Sequence, residues 1–237
     1  MVGMPYSFIT ISLQIVFFPL MAEQFNMEKM ASLKRTMAQL LIMTWALVIP
    51  AVVGLIGLGE SAVSTLLERG EFDGDSTRLV YSLIVILGLH FFGQTTTDMI
   101  ALRFFSRHNT FFPMLANLIW AIVYVSLMFI LVPRWDIQGL TWASSLAMLT
   151  SAIAIYLFSR WRIDPLEETY ILGWFGRILV ASLLMLAVMI SLRGIGLGNV
   201  AYLAVAIPIG SVVYLGLFWL LGGRRFLAEI SAASQNP

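Results

Sequence analysis

The chain has 237 residues, of which 59% are hydrophobic and 11% are charged, and its mean hydropathy is +0.90. A charged fraction about half that of a soluble domain predicts an integral membrane protein. The net charge of +1 argues against nucleic acid as a partner, because the 14 Lys and Arg are spread over many short loops. The absence of cysteine excludes disulfides, zinc-thiolate sites, iron–sulfur clusters and thiol catalysis.

Apolar stretches long enough to cross a bilayer occur throughout the chain. These stretches are uniformly apolar, whereas the strands of a membrane barrel would alternate apolar and polar residues. We therefore expect helices. The predicted fold class is an all-α integral membrane protein with a bundle of about seven transmembrane helices. The predicted spans cover residues 5–22, 39–58, 79–102, 111–132, 137–159, 174–192 and 200–221.

Charged residues divide the connections between the spans into two sides. Ten Lys and Arg lie on one side and four on the other, and by the positive-inside rule the richer side is cytoplasmic. This assignment places the N-terminus outside and the C-terminus in the cytoplasm. Because an outside N-terminus without a signal peptide is unusual, we expect the chain to be a fragment of a longer protein.

Two polar segments predict how the chain is subdivided. Residues 23–37 mix apolar and charged side chains, which predicts an amphipathic cytoplasmic helix that either joins two spans as a lever or only anchors the bundle. The polar stretch around Pro165 predicts a boundary. We therefore expect a core of five spans over residues 1–165 and a terminal helix pair with a cytoplasmic tail over residues 166–237.

The third span carries four polar residues at spacings of four, three and one, which place them on one helix face: His90, Gln94, Thr97 and Asp98. A carboxylate in a span costs about 2.5 to 3.5 kcal/mol on insertion scales, which favours a position facing other helices or a water-filled cavity. With Arg103, these residues are candidates for a substrate or ion pathway. The alternatives are packing between helices and pairing of Asp98 with Arg103.

The second span is interrupted by Pro50, Gly54, Gly57 and Gly59. Such positions permit bending, and in transporters broken helices mark gates and binding sites. The alternative is the ordinary enrichment of Gly and Pro in membrane helices.

Recognised catalytic motifs are absent from the sequence. It has two His, and it lacks the zinc-protease, nucleophile-elbow, Walker and paired-glycine nucleotide signatures. We therefore expect no enzyme, no cofactor and no metal site.

Two loop motifs flank the third span, at residues 67–77 (LERGEFDGDST) and 103–110 (RFFSRHNT). They resemble the MurJ/MviN lipid II flippase family, with Phe105 and Asn109 standing where that family has Tyr and Asp. The likeness covers about residues 1–165 well and the last two spans only by position. The motif residues, which we interpret as structural loop positions, are Glu68, Arg69, Gly70, Phe72, Asp73, Phe105, Arg107 and Pro113.

This resemblance implies the second, C-terminal lobe of a transporter of the MOP superfamily in the bacterial inner membrane. It implies that an undecaprenyl-linked sugar precursor moves from the inner to the outer leaflet by alternating access. The implied partners are this lipid precursor, membrane lipid and a missing N-terminal lobe. Many family members carry Lys at the position of Asp98, which favours a cation or pairing role over a phosphate contact. The alternatives are an O-antigen or exopolysaccharide exporter of the same superfamily and a non-transporting membrane scaffold subunit.

Overall fold

The chain is helical through nearly all of the part that the structure describes. The computed structural model describes residues 3–27, 30–68, 73–163 and 165–235, with side chains except at residues 3–12, 16 and 230–235. The predicted all-α fold class is confirmed. The helices are α1 (Gly3–Asn26), α2 (Met30–Leu67), α3 (Gly74–Phe105), α4 (Phe111–Arg162), α5 (Glu168–Arg193), α6 (Asn199–Phe218) and, after a π-helical turn at Trp219–Gly223, α7 (Arg224–Gln235).

Five helical stretches within the described residues are long and apolar enough to cross a membrane. They are α2, α3, α4, α5 and the stretch Asn199–Glu229, which runs from α6 into α7. This result confirms the integral membrane class. The number of seven spans stays a prediction, because α1 is not among these five stretches and α4 covers two of the predicted spans.

Helix α4 contains a sharp kink at Asp136, where φ is 46° and ψ is −126°. The helix has 52 residues, which would measure about 78 Å if straight, against a hydrocarbon core of about 30 Å. Pro133, just before the kink, has no N–H to donate to the preceding turn. A Cβ added at Gly139 would lie 2.4 Å from the carbonyl oxygen of Leu131. The chain therefore bends back on itself here, in agreement with the two spans predicted on either side.

Replacing Gly139 by Ala is expected to destabilise the protein, because the new methyl group would overlap the Leu131 carbonyl and force the kink to shift. Overpacking of this kind costs about 1 to 3 kcal/mol. The measurement is the thermal unfolding midpoint in detergent. The control is Gly216→Ala in α6, where an added Cβ meets nothing within 4 Å. Equal midpoints for the two variants would contradict the close approach at Gly139.

The helices form two compact units. The first unit comprises Met1–Val48 and Leu89–Phe175, and the second comprises Ile49–Gly88 and Gly176–Pro237. The boundary expected near residue 165 stays a prediction about the sequence. The core of the first unit draws side chains from α1 to α5, among them Met21, Leu33, Met37, Met99, Phe104, Ile155 and Ile171.

The segment predicted as an amphipathic helix, residues 23–37, is shared between two helices. Helix α1 ends at Asn26 and α2 begins at Met30, so this segment is the end of one helix and the start of the next. Leu33 and Met37 are fully buried, whereas Lys34 is only partly buried. The apolar face of the segment therefore packs on the core, and its contact with the membrane surface stays a prediction.

Candidate functional site

The polar stripe of α3 is divided between a cavity and helix contacts. A cavity of about 440 Å³ lies in the first unit beside the C-terminal part of α3. Among the described residues, Thr97 and Asp98 belong to its wall, and His90 and Gln94 do not. The wall draws on α1, α3 and α4 through Gln14, Ile15, Phe18, Thr97, Asp98, Ala101, Leu102, Phe105, Pro113, Asn117 and Ile155.

Asp98 is held by Gln94, which lies one helical turn earlier. The side-chain nitrogen of Gln94 donates to both carboxylate oxygens, at 3.1 Å to Oδ1 and 3.3 Å to Oδ2. Both side chains are partly buried. A Gln–Asp pair one helical turn apart stabilises an isolated helix by about 0.2 to 0.5 kcal/mol, so this contact favours one orientation of the carboxylate. Gln94 therefore orients Asp98 in the cavity wall.

Two amide side chains that sequence reasoning missed complete the polar part of the cavity wall. They are Gln14 of α1 and Asn117 of α4. Both interrupt apolar stretches, and this was the available signal, because polar residues in spans almost always face a bundle interior or a cavity. Thr97 contributes less hydrogen-bonding capacity, since its hydroxyl donates to the carbonyl of Gly93 at 2.9 Å.

His90 makes its contact with α4. Its Nδ1 lies 3.0 Å from the hydroxyl oxygen of Ser144 and 3.3 Å from the backbone carbonyl oxygen of the same residue. Close to it, a Cβ added at Gly93 would lie 3.1 Å from the backbone carbon of Met148. Helices α3 and α4 are therefore tightly packed at this level. The geometry of His90 supports the packing alternative, and a pathway role for it stays a prediction.

Arg103 is fully buried in the first unit. Its Nη1 donates to the hydroxyl oxygen of Ser159 at 2.8 Å, which joins the end of α3 to the second half of α4. Arg103 is not among the described residues of the cavity wall. The contact with Ser159 is one way in which the bundle accommodates a guanidinium that would be costly in hydrocarbon.

Replacing Ser159 by Ala is expected to lower the thermal unfolding midpoint, because it removes an acceptor from a buried cation. A hydrogen bond to a charged group contributes about 1.5 to 3 kcal/mol. The control is Ser126→Ala in the same helix, where the exposed hydroxyl donates only to its own turn, at the carbonyl of Ile122. A midpoint for Ser159→Ala no lower than that of the control would contradict the structural role of this pair.

The first family motif lies between α2 and α3, and Arg69, Gly70 and Phe72 are outside the described residues. Glu68 is exposed and its carboxylate accepts a hydrogen bond from the Ser64 hydroxyl. Asp73 accepts a hydrogen bond from the backbone N–H of Ser76 at 2.9 Å, and this contact lowers the pKa of the Asp73 carboxyl. Asp73 thus caps the start of α3.

The second family motif surrounds the end of α3 and the start of α4. Phe105 and Pro113 line the cavity. The Arg107 guanidinium lies 5.4 Å from the ring centre of Phe25 and donates to the sulfur of Met30 at 3.7 Å. Arg107 therefore contacts the end of α1 and the start of α2. These contacts fit a structural role for the motif, and that role stays a prediction.

These helices and this cavity define a polytopic α-helical membrane protein with a carboxylate held in the cavity wall. A family model described as "Lipid II flippase MurJ" matches residues 1–204. The chain belongs to this family.

Curated relatives agree with this membership, and a solved structure shares the fold. A probable lipid II flippase MurJ of Bdellovibrio bacteriovorus is 25% identical, over 98% of this chain and 45% of the relative. One of Rhizobium meliloti is 27% identical, over 78% of this chain and 34% of the relative. The structure of a lipid II flippase MurJ in an inward closed conformation has 22% sequence identity and a TM-score of 0.76, covering 93% of this chain and 44% of that chain. The chain thus spans less than half the length of these relatives.

Proposed function

We propose that this chain is the C-terminal lobe of a lipid II flippase, which moves an undecaprenyl-linked peptidoglycan precursor from the inner to the outer leaflet by alternating access. The observation that carries the proposal is the family match over residues 1–204. The relatives share the same description, which supports this function over the exporter and scaffold alternatives. We further propose a bacterial inner-membrane location, a cytoplasmic C-terminus and an N-terminal lobe as partner.

The pathway role proposed for this lobe centres on Asp98. A carboxylate repels a phosphate group, and this repulsion is strongest where water is scarce. We therefore propose that the Asp98 carboxylate binds a cation or a proton and that Gln94 holds its orientation. The amides of Gln14 and Asn117 add neutral oxygen atoms to the same wall, as a hydrated cation would require.

Two arginines of the first unit that could bind an anionic group of the substrate are already engaged in ion pairs. The Nη1 of Arg35 lies 2.7 Å from a carboxylate oxygen of Glu167, and its guanidinium lies 3.7 Å from the ring centre of Tyr170. The Nη1 of Arg160 lies 2.8 Å from a carboxylate oxygen of Glu168. We therefore propose that the main anion-binding charges lie in the N-terminal lobe.

An apolar groove in the second unit suits the lipid tail. It has a volume of about 640 Å³ and lies between α5 and α6. Leu184, Val188, Val212 and Leu217 are among its lining residues. An apolar groove of this kind could accommodate a prenyl chain without burying a polar group, so we propose that the tail passes along it.

The substrate is tested with the full-length protein in proteoliposomes, by following fluorescent lipid II across the bilayer. We expect lipid II to be transported and an undecaprenyl-linked O-antigen unit to be transported poorly. Transport of the O-antigen unit alone would replace the proposal by the exporter function. Transport of neither would favour the scaffold alternative.

Replacing Asp98 by Asn is expected to slow flipping by roughly 10- to 150-fold and to change its dependence on Na⁺, K⁺ or pH. The physical reason is the loss of a charge-assisted contact of about 1.5 to 3 kcal/mol. Gln94→Leu should act in the same direction with a smaller effect. The control is Asp136→Asn, an exposed carboxylate at the α4 kink. If Asp98→Asn flips lipid II like the control under every ionic condition, Asp98 only packs between helices.

A further inference from the structure

The C-terminal part of α2 is tied to three other helices by polar contacts within the second unit. The Tyr81 hydroxyl of α3 donates to the carbonyl of Ile56 at 2.7 Å. Nη2 of Arg193, at the end of α5, lies 2.6 Å from a carboxylate oxygen of Glu60. Two residues of α6 make the other contacts. Asn199 donates to the Ser64 hydroxyl oxygen at 3.0 Å. The Tyr202 hydroxyl lies 3.0 Å from the carbonyl oxygen of Gly57 in α2 and 3.1 Å from that of Met189 in α5, and it can donate to either.

The two tyrosine contacts fall on consecutive carbonyl groups of α2. In a helix these carbonyls are already acceptors for N–H groups one turn later, so each tyrosine adds a second hydrogen bond. Tyr202 is 2% exposed, so its hydroxyl is buried within the second unit, where an unpaired polar group is costly. Its only acceptable partners there are other protein groups. The phenol of Tyr202 therefore fixes α2, α5 and α6 at one point.

The segment of α2 that receives these contacts overlaps the stretch that the sequence predicts to bend. Pro50 has no N–H for the preceding turn, and glycines follow it at positions 54, 57 and 59. A Cβ at Gly57 would lie 3.1 Å from the Cδ1 of Leu186 and 3.2 Å from the sulfur of Met189. The glycine therefore lets α5 approach the α2 backbone closely. A helix with this composition would be held weakly by its own hydrogen bonds and side chains.

We propose that Tyr81, Arg193, Asn199 and Tyr202 form a conformational device, the α2 latch, which holds the bend-prone segment of α2 over residues 56–64. The terminal pair α5 and α6 supplies three of these four residues. Releasing the latch lets the α2 segment open locally while the rest of the second unit keeps its fold. This inference does not depend on which substrate the protein moves.

The test is hydrogen–deuterium exchange of the intact protein in lipid nanodiscs, read on peptides covering residues 56–66. Arg193→Gln should speed amide exchange there roughly two- to fivefold, the scale set by one partly exposed ion pair. Tyr202→Phe removes one oxygen atom with little change of shape and should speed exchange in the same peptides. The double variant Glu60→Arg with Arg193→Glu should restore the original rate.

The matched control is Arg134→Gln, which removes an exposed arginine of the first unit and should leave exchange over residues 56–66 unchanged. Two results would overturn the latch. One is unchanged exchange in both Arg193→Gln and Tyr202→Phe. The other is a charge-swapped variant that exchanges as fast as Arg193→Gln, because the effect would then come from the substitution at either site and not from the pair. Exchange of peptides from residues 208–218 of α6, which carry no latch residue, reports whether a variant has lost the fold of the second unit.

Discussion

A bilayer core offers no hydrogen-bond partners, and this constraint explains both the fold and the placement of its polar side chains. In a helix, the backbone N–H and C=O groups form hydrogen bonds with one another. Many serine and threonine hydroxyls of the described residues donate to a carbonyl one turn earlier, as Thr44 does to Leu40 and Ser182 does to Ile178. The informative polar residues are those that reach another helix or face a cavity, because each needed a partner that only the tertiary structure provides.

By this criterion the two units use polarity differently. In the first unit, Asp98 belongs to the cavity wall and is hydrogen-bonded by Gln94, while the buried Arg103 joins two helices. In the second unit, the polar groups join helices around the C-terminal part of α2, with Tyr202 at their centre. In a cavity wall, polar side chains face a ligand. At a helix junction, polar side chains bond to groups of a neighbouring helix. The first arrangement suits binding and the second suits control of shape.

The sequence predicted the helical class and the positions of the long apolar helices, because apolar length is a property of local sequence. It did not predict how the stripe on α3 would divide. At about 100° per residue, His90 and Asp98 differ by about 80° around the helix axis, enough to face different neighbours. Which neighbour each one meets depends on helix pairing. For the same reason, Gln14 and Asn117 could be recognised as unusual but could not be assigned to one cavity before α1 and α4 were seen beside α3.

The charge of Asp98 limits what this lobe can do under the proposed function. An anionic headgroup entering the cavity would meet a carboxylate. Arg35, near the start of α2, and Arg160, near the end of α4, are already paired with glutamates. A cation bound at Asp98 would remove the repulsion, so occupancy by the cation and passage of the headgroup would be thermodynamically linked. Such linkage is reciprocal: a headgroup that binds better when the cation is present must also tighten cation binding by the same factor. Under the proposed function, this coupling would arise from Asp98, the only charged residue among the described residues of the cavity wall.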